Sequence, residues 1–334
     1  MTPHPAYGNI ETDDAACFLC GAASEQITEE HVFPKWLQSL YNLWNKRLDL
    51  LNKTPINYRS LKIPCCPTCN NDALSQLEAT ISRAVADGYL AAQALDARLW
   101  YLWSGKIFYG ILRKELKLQR DRARPVAGSI VEEAGLRSFR ALHLFLQGIR
   151  GKHEFSDQVP FSVLICNLHD LGGSRSYCFR DNLTYMTLAI RMGEVGVIVA
   201  LEDTGIATST YGRYVEEVQH RKLHPLQFDE LYARVTYQAS LIESTIRYLT
   251  AFDVEGKGCA RTEVSGGVYM RGRSQKDLSE VMRENVSQWV KKPAGGEVEW
   301  LIAPDLIPTW MTDNDGELIL RSLPEWEAEG QLDA

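Results

Sequence analysis

The sequence predicts an α+β fold, with a small cysteine-rich module at residues 1–82 and a larger mixed helical and β domain at residues 83–334. Two Cys-x-x-Cys pairs near the N-terminus enclose short strand-like segments. Apolar residues at helical spacing follow them as far as about residue 122. After Gly151 the pattern changes to alternating β-branched runs, and helical periodicity returns near residue 229. Helices and strands thus occupy separate stretches of the chain, as is typical of the α+β class.

The bulk composition is that of an ordinary globular protein. The chain has 334 residues, 45% of them hydrophobic, and a formal net charge of −7. Residues 1–14 lack the charged-then-apolar pattern of a signal peptide. The longest aliphatic run, at residues 195–201, is far shorter than the roughly 20 residues that a membrane helix needs. We therefore expect a cytoplasmic protein that does not act in a membrane.

The N-terminal module is expected to contain two short strands and two helices. Residues 25–32 are strand-like and lead to Pro34, which suits the first turn of a helix. Residues 48–64 are expected to form a loop and a second strand, and a further helix is expected to begin at Asn71. The apolar face of the first helix is predicted to comprise Trp36, Leu37, Leu40, Leu43 and Trp44. That of the second is predicted to comprise Leu74, Leu77, Ile81, Ala84 and Val85.

Later in the chain, helical periodicity predicts helices over residues 132–149, 229–248 and 274–290. Ser274 is placed to cap the last of these, with acidic Asp277 in its first turn.

Alternating β-branched residues predict strands at residues 159–166 and 186–201. Gly193 lies in the second run and indicates a hairpin turn there. The acidic, proline-punctuated residues 300–334 are expected to form a peripheral tail.

Cysteine spacing predicts a structural zinc site. Five of the eight cysteines lie between Cys17 and Cys69, and two Cys-x-x-Cys pairs supply the four thiolates of a closed tetrahedral site. Cys65 could replace Cys66, but Cys66 keeps the two-residue gap that a knuckle turn needs. The alternative, four buried free thiols, is disfavoured by the knuckle-like spacing of both pairs. The predicted ligands are Cys17, Cys20, Cys66 and Cys69.

Three polar residues accompany the cysteines. Glu30 and His31 lie between the two pairs, and Asn70 follows the last cysteine. A neutral imidazole can accept a proton near pH 7, and carboxylate and amide oxygens suit a hard divalent cation. A zinc site at this corner would fix Asn70 and bring the Glu30-His31 hairpin toward it. Alternatively, His31 is a structural histidine and Asn70 only a helix N-cap.

Taken together, the motifs Cys-x-x-Cys, Glu30-His31-x-x-Pro34 and Cys-x-x-Cys-Asn70 resemble the HNH nucleases, the ββα-metal fold, in their zinc-bound four-cysteine form. They are also similar to phage recombination endonuclease VII. The resemblance covers about residues 15–80. It implies that His31 is the general base and that Glu30 and Asn70 bind a catalytic Mg²⁺ or Mn²⁺ ion.

The chain departs from that family in two ways. The family usually has aspartate before the histidine, where this chain has Glu30. The family also has a middle asparagine that braces the histidine loop, and Asn52 and Asn57 are both candidates for it.

We therefore expect a metal-dependent endonuclease that hydrolyses phosphodiester bonds, with DNA as its nucleic-acid partner. Residues 83–334 would sense a ligand, dock a protein partner or form a homo-oligomer. By association, HNH modules fused to another domain resemble bacterial restriction or antiphage defence effectors. Phosphate binding needs local positive charge, and the stretch from Arg113 to Arg124 is the best candidate, although it equally suits a solvated helix face.

Two rival functions remain open. The first is a non-catalytic zinc module that binds nucleic acid or a protein partner. The second is an enzyme whose chemistry lies in residues 151–334, with the zinc module as an accessory.

Overall fold

The computed structural model describes residues 15–23, 26–115, 139–218, 220–244, 247–252, 260–289, 307–313, 315 and 317–328. Its helices are α1 (Lys35–Leu40), α2 (Ser75–Ala86), α3 (Tyr89–Ala94), α4 (Ala97–Glu115), α5 (Arg140–Phe145), α6 (Ile206–Glu217), α7 (Pro225–Ser240), α8 (Gln275–Val286) and α9 (Leu323–Ala328). Its strands are β1 (Thr28–His31), β2 (Arg47–Asp49), β3 (Pro55–Asn57), β4 (Lys62–Cys65), β5 (His153–Phe155), β6 (Ser162–Asn167), β7 (Tyr177–Asn182), β8 (Thr187–Met192), β9 (Val195–Ala200), β10 (Ile242–Ser244), β11 (Arg247–Phe252), β12 (Ala260–Ser265) and β13 (Val268–Met270). The fold is α+β, as predicted.

The chain divides into two compact units. The first comprises Met1–Ala86, Leu95–Val159 and Arg247–Ser265, and the second comprises Asp87–Ala94, Pro160–Ile246 and Gly266–Ala334. The predicted module of residues 1–82 lies inside the first unit, and its independence from the rest stays a prediction.

In the first unit, strands β1 and β4 form an antiparallel pair with Thr28 opposite Cys65 and His31 opposite Lys62. Helix α4 crosses this pair closely, because a Cβ atom on Gly110 would lie 3.0 Å from Val32 and 3.2 Å from Ile63. Glycine at this position therefore lets the helix backbone approach the strands. The long, almost wholly buried α4 is the element on which the short strands rest.

The second unit is built on a four-stranded antiparallel sheet with the strand order β6-β9-β8-β7. The two central strands, β8 and β9, are buried along their whole length. Helix α7 packs against them and begins with a capping box at His224, whose ring nitrogen accepts from the Leu226 N–H. Both faces of these strands are covered, so β8 and β9 lack the alternation of buried and exposed positions that a sheet with one solvated face would show.

Several sequence predictions are confirmed. The predicted apolar face of α2 is buried at all five positions. The β8–β9 hairpin turns at Gly193, whose φ of +62° is in the left-handed region that favours glycine. Ser274 caps α8 by accepting from the Asp277 N–H. No helix in the described parts of the chain is both long and apolar enough to cross a membrane.

Other predictions were wrong. Helix α1 ends at Leu40, and Leu40 and Trp44 are 57% and 43% exposed, so the apolar periodicity there does not mark one buried face. The helix predicted to run to residue 248 ends at Ser240, and strands β10 and β11 follow. Trp326, expected in a peripheral tail, is 1% exposed inside an apolar cluster.

Two further predictions fall partly outside the described residues. The helix predicted over residues 132–149 appears as α5 and a following 3-10 turn, and residues 132–138 are not among those described. The basic stretch is described only for its first residues, which end α4 at Glu115.

Candidate metal centre and adjoining cleft

The four predicted zinc ligands come together in the first unit. The sulfur atoms of Cys17, Cys20, Cys66 and Cys69 all lie within 4.8 Å of one another. A tetrahedral ion with Zn–S bonds of about 2.3 Å requires sulfurs about 3.8 Å apart, and Cys20 Sγ lies 3.8 Å from Cys66 Sγ. The thiols therefore form a set that could hold a metal ion such as zinc.

Local backbone geometry forms this cluster. The first knuckle is the turn that contains Cys17 and Cys20. In it the Gly21 N–H donates to the Cys17 carbonyl oxygen at 2.8 Å, and Gly21 has a φ of +70°. The second knuckle is the turn that contains Cys66 and Cys69, and in it the Asn70 N–H donates to the Cys66 carbonyl oxygen at 2.9 Å. The Phe18 N–H donates to the Pro64 carbonyl oxygen at 2.8 Å, which ties the two knuckle segments together.

Two side chains from the end of α5 and the turn after it hold the first knuckle from the other side. His143 Nε2 lies 3.1 Å from the Phe18 carbonyl oxygen, and Gln147 Nε2 donates to the Leu19 carbonyl oxygen at 2.7 Å. Both side chains are buried. The cysteine cluster is therefore anchored by residues more than a hundred positions later in the chain.

The thiols influence one another strongly. Hydrogen bonds with the Cys20, Cys65 and Cys69 thiols lower the pKa of Cys17, and the contact with Cys17 raises the pKa of Cys20 to about 11. A bound metal ion would take the place of these shared protons, since thiolates are its ligands. Cys65 is fully buried 3.9 Å from Cys17, yet it is not one of the four mutually close thiols.

An open cleft of about 550 Å³ lies beside the cluster. Its walls come from β1, the start of α1 and the helical segment that runs from the second knuckle into α2. The three predicted catalytic residues all line this one cleft. The polar residues around it are Glu29, Glu30, His31, Lys35, Asn70, Asn71, Ser75, Glu78 and Ser82.

Lys106 of α4 contacts two carboxylates that line the cleft, Glu30 and Glu78, and we call these three residues the floor of the cleft. The Lys106 ammonium is 0% exposed and donates to Glu30 Oε1 at 2.5 Å and to Glu78 Oε1 at 2.9 Å. It also donates to the carbonyl oxygens of His31 at 2.6 Å and Val32 at 3.2 Å. A single buried cation thus fixes two carboxylates and the end of strand β1.

The charges on this floor are coupled. Burial lowers the pKa of Lys106, but the Glu78 and Glu30 carboxylates outweigh it and leave this pKa above its ordinary value. Burial raises the pKa of Glu78, and the neighbouring Glu30 carboxylate raises it further against the opposing effect of Lys106. Two carboxylates and one ammonium leave the group with a net charge of −1 when all three are ionised.

His31 is positioned at the end of β1 by Gln38 of α1. Gln38 is fully buried. Its Nε2 donates to the Phe33 carbonyl oxygen at 2.7 Å and lies 3.4 Å from His31 Nδ1. Burial lowers the pKa of His31, and the nearby Lys35 and Lys62 charges lower it further. The imidazole is therefore neutral at pH 7 and able to accept a proton.

The predicted bracing role of Asn52 or Asn57 stays a prediction. Asn52 accepts from the Thr54 N–H within its own turn, and Asn57 lies in β3 opposite Arg47.

Asn70 is linked to β1 by its side chain. Its Nδ2 donates to Thr28 Oγ1 at 2.9 Å, and this hydroxyl donates to the Cys65 carbonyl oxygen at 2.8 Å. Asn70 lies in a π-helical turn at Thr68–Leu74 that leads into α2, so this helical segment begins earlier than the predicted Asn71. The hydrogen bond directs the amide nitrogen toward the strand.

Comparison with family models, with curated proteins and with solved structures found no match to the chain. The likeness to HNH nucleases therefore depends on the motif residues alone and stays a prediction. Sequence reasoning gave no role to Lys106, Gln38 or Glu78, which hold or line the cleft. The sequence signal that could have drawn attention to α4 was a lysine, Lys106, within the mostly apolar run of residues 100–112.

Proposed function

We propose that this protein is a metal-dependent endonuclease of HNH type that hydrolyses phosphodiester bonds, with DNA as its substrate. The observation that carries the proposal is that Glu30, His31 and Asn70 line one open cleft beside a four-cysteine cluster. A proton acceptor and two oxygen-bearing side chains thereby line the same cleft, as the proposal requires.

Zinc in this proposal is structural. One ion would take all four cysteines as ligands and leave no position for a substrate or a water molecule, which is the mark of a structural site. Zinc held at the two knuckles would fix the β1–β4 pair against the start of the helical segment that carries Asn70.

A second, catalytic ion would be held by oxygen atoms of Glu30 and Asn70. The residues fit such an ion, because the floor of the cleft carries a net negative charge and an amide. A bound Mg²⁺ or Mn²⁺ would supply charge neutralisation at the phosphate and the departing oxygen. Lys106 would keep the Glu30 carboxylate in place for this role.

His31 is the proposed general base. Its ring is neutral at pH 7, so an unprotonated ring nitrogen can take one proton from a water molecule as the water oxygen attacks phosphorus. A new P–O bond forms, and the bond from phosphorus to the 3′ oxygen breaks. The backbone at the end of β1 would hold the imidazole in position for this proton transfer.

Cleavage of plasmid DNA tests the proposal. Purified wild-type protein with Mg²⁺ or Mn²⁺ should cut the plasmid, and His31→Ala should reduce the rate by about 10²- to 10⁴-fold, the usual contribution of a general base. His220→Ala, at an exposed histidine of the second unit, is the matched control and should cut normally. Equal cutting by His31→Ala, or no cutting by wild type with either ion, would contradict the proposal.

One observation favours the rival, a non-catalytic zinc module that binds nucleic acid or a protein. Glu30 is already ion-paired with Lys106, and such a pair can serve stability alone. The rival predicts that Glu30→Ala and Asn70→Ala leave partner binding intact and that the wild type cuts nothing. A role in restriction or antiphage defence stays a prediction.

A further inference from the structure

A second, smaller cleft of about 290 Å³ lies next to the first and has the opposite charge. Its charged residues are Lys62, Arg113 and Lys114, with Glu29 as the single carboxylate. The charged residues lining the first cleft are Glu29, Glu30 and Glu78, with one lysine. Glu29 lines both clefts, so an acidic cleft and a basic cleft meet at this residue.

Strand register places the basic cleft close to the proposed base. Lys62 is the direct partner of His31 across the β1–β4 pair, and directly opposed residues of an antiparallel pair have their side chains on the same face. The basic cleft therefore begins one strand away from His31.

The Lys62–Glu29 ion pair, where the two clefts meet, lies at an exposed position. Lys62 Nζ donates to Glu29 Oε2 at 2.8 Å, but the two side chains are 34% and 69% exposed. An exposed pair of this kind contributes little to stability. A phosphate could therefore replace the Glu29 carboxylate as the partner of Lys62.

We infer that the basic cleft binds the sugar-phosphate backbone of the nucleic acid beside the phosphate that is cut. Lys62 and Lys114 would each contact a phosphate that flanks the scissile one, and the acidic cleft would hold the phosphate under attack with its cation. The inference rests on the proposed function, because the backbone passes the basic cleft only if a phosphodiester occupies the acidic one. It also explains how a chain with a net charge of −7 could bind a polyanion.

Salt-dependent binding tests the inference without any cleavage. Short fluorescein-labelled oligonucleotides (double-stranded DNA, single-stranded DNA and single-stranded RNA) are titrated with zinc-loaded full-length protein over a series of NaCl concentrations, with Ca²⁺ as the divalent ion. The measured quantity is the slope of log K against log salt. Each phosphate contact contributes about 0.9 to it in duplex DNA.

The Lys62→Gln/Lys114→Gln variant should bind more weakly, with a slope shallower by about 2. Glu29→Gln should bind more tightly than wild type, because it frees Lys62 and removes a like charge from the path of the phosphates. Lys276→Gln, at an exposed lysine of α8 in the second unit, should leave both affinity and slope unchanged. Unchanged zinc content and circular dichroism would establish that each variant is folded.

Failure of the inference is distinguishable from failure of the proposed function. An unchanged slope in the double variant, or no binding of any oligonucleotide by wild type, would overturn the inference. Normal cutting by wild type with an unchanged slope in the double variant would contradict phosphate binding in the basic cleft and support the proposed nuclease activity. A shallower slope in the double variant without cutting by wild type would support nucleic-acid binding in the basic cleft and contradict the proposed nuclease activity.

Discussion

The two compact units hold their strands in place by different means. In the first, the β1–β4 pair has only four residues in each strand, and it is held by a four-cysteine cluster and by the buried ammonium of Lys106. In the second, the two central strands of a four-stranded sheet are buried among apolar residues. Short strands cannot enclose much apolar surface. The first unit therefore adds polar cross-links and an open polar cleft to the apolar core around α4, whereas the central strands of the second unit are enclosed mostly by apolar residues.

Loss of one metal ligand should have the largest effect. Cys66→Ser removes a thiolate from the four-cysteine set, and structural zinc supplies about 10–16 kcal/mol of apparent folding free energy in small zinc modules. We expect zinc, measured by elemental analysis, to fall from one ion per chain to almost none. Amide hydrogen exchange should become fast around β1, β4 and the knuckles, and much less so in the β8–β9 hairpin.

Cys65→Ser is the matched control, because Cys65 is equally close in sequence but is not one of the four clustered thiols. It should retain zinc. Zinc loss in Cys65→Ser with retention in Cys66→Ser would show that the ligand set is assigned wrongly.

Removing the buried cation should have the next largest effect. Lys106→Met leaves the Glu30 and Glu78 carboxylates without their partner, and breaking a buried ion pair from one side costs about 3–5 kcal/mol. Urea unfolding should report this loss as a lower midpoint for the first unit.

Adding Glu78→Gln to Lys106→Met restores the net charge of the floor and should recover part of the loss. A Lys106→Met variant as stable as wild type would mean that the first unit does not depend on its polar floor.

Both units contain buried histidines whose pKa is lowered to about 4, and in the second unit His224 should cause a loss of stability in acid. Burial lowers the pKa of His224 to about 4 from its ordinary 6.5. The unfolded chain therefore binds the proton more readily, so the stability from neutral His224 is complete above pH 6.5 and is lost as the pH falls toward 4. The loss amounts to about 3 kcal/mol.

His224→Asn keeps an N-cap acceptor for the Leu226 N–H without the titration. Its unfolding free energy, lower at pH 7 for lack of the ring, should vary less between pH 6.5 and pH 4 than that of wild type. Equal pH dependence in the two proteins would exclude His224 as the cause.

Overpacking of the apolar sheet should have the smallest effect. A Cβ atom on Gly196 of β9 would lie 2.6 Å from the Phe228 ring and 2.7 Å from Leu168. Gly196→Ala should therefore destabilise the second unit by about 1–3 kcal/mol.

The control is Gly212→Ala in α6, where the nearest atom is 3.7 Å away. It should be neutral or stabilising by up to about 1 kcal/mol, because alanine is the better helix former. A loss of stability in Gly212→Ala as large as that in Gly196→Ala would contradict the packing explanation.

The sequence predicted best what depends on local spacing. The four cysteines, the buried face of α2, the turn at Gly193 and the cap at Ser274 each follow from residues close together in the chain. Such patterns are set by backbone turns and by helical or strand periodicity, which operate over a few residues.

Features that depend on distant residues were not predicted. Lys106 meets Glu30 across 76 positions, and Gln147 meets Leu19 across 128. The exposure of Trp44 and the burial of Trp326 are likewise decided by packing between separate elements. The local pattern of α4 shows a lysine among apolar residues but not the two distant carboxylates that this lysine contacts.

Binding of Mn²⁺ to the zinc-loaded protein, followed by electron paramagnetic resonance, is the most direct test of the central claim that the cleft beside the cysteine cluster holds a catalytic cation. The proposed function predicts one Mn²⁺ per chain, lost in Glu30→Gln while the zinc content is unchanged. No Mn²⁺ binding by wild type, or equal binding by Glu30→Gln, would contradict it.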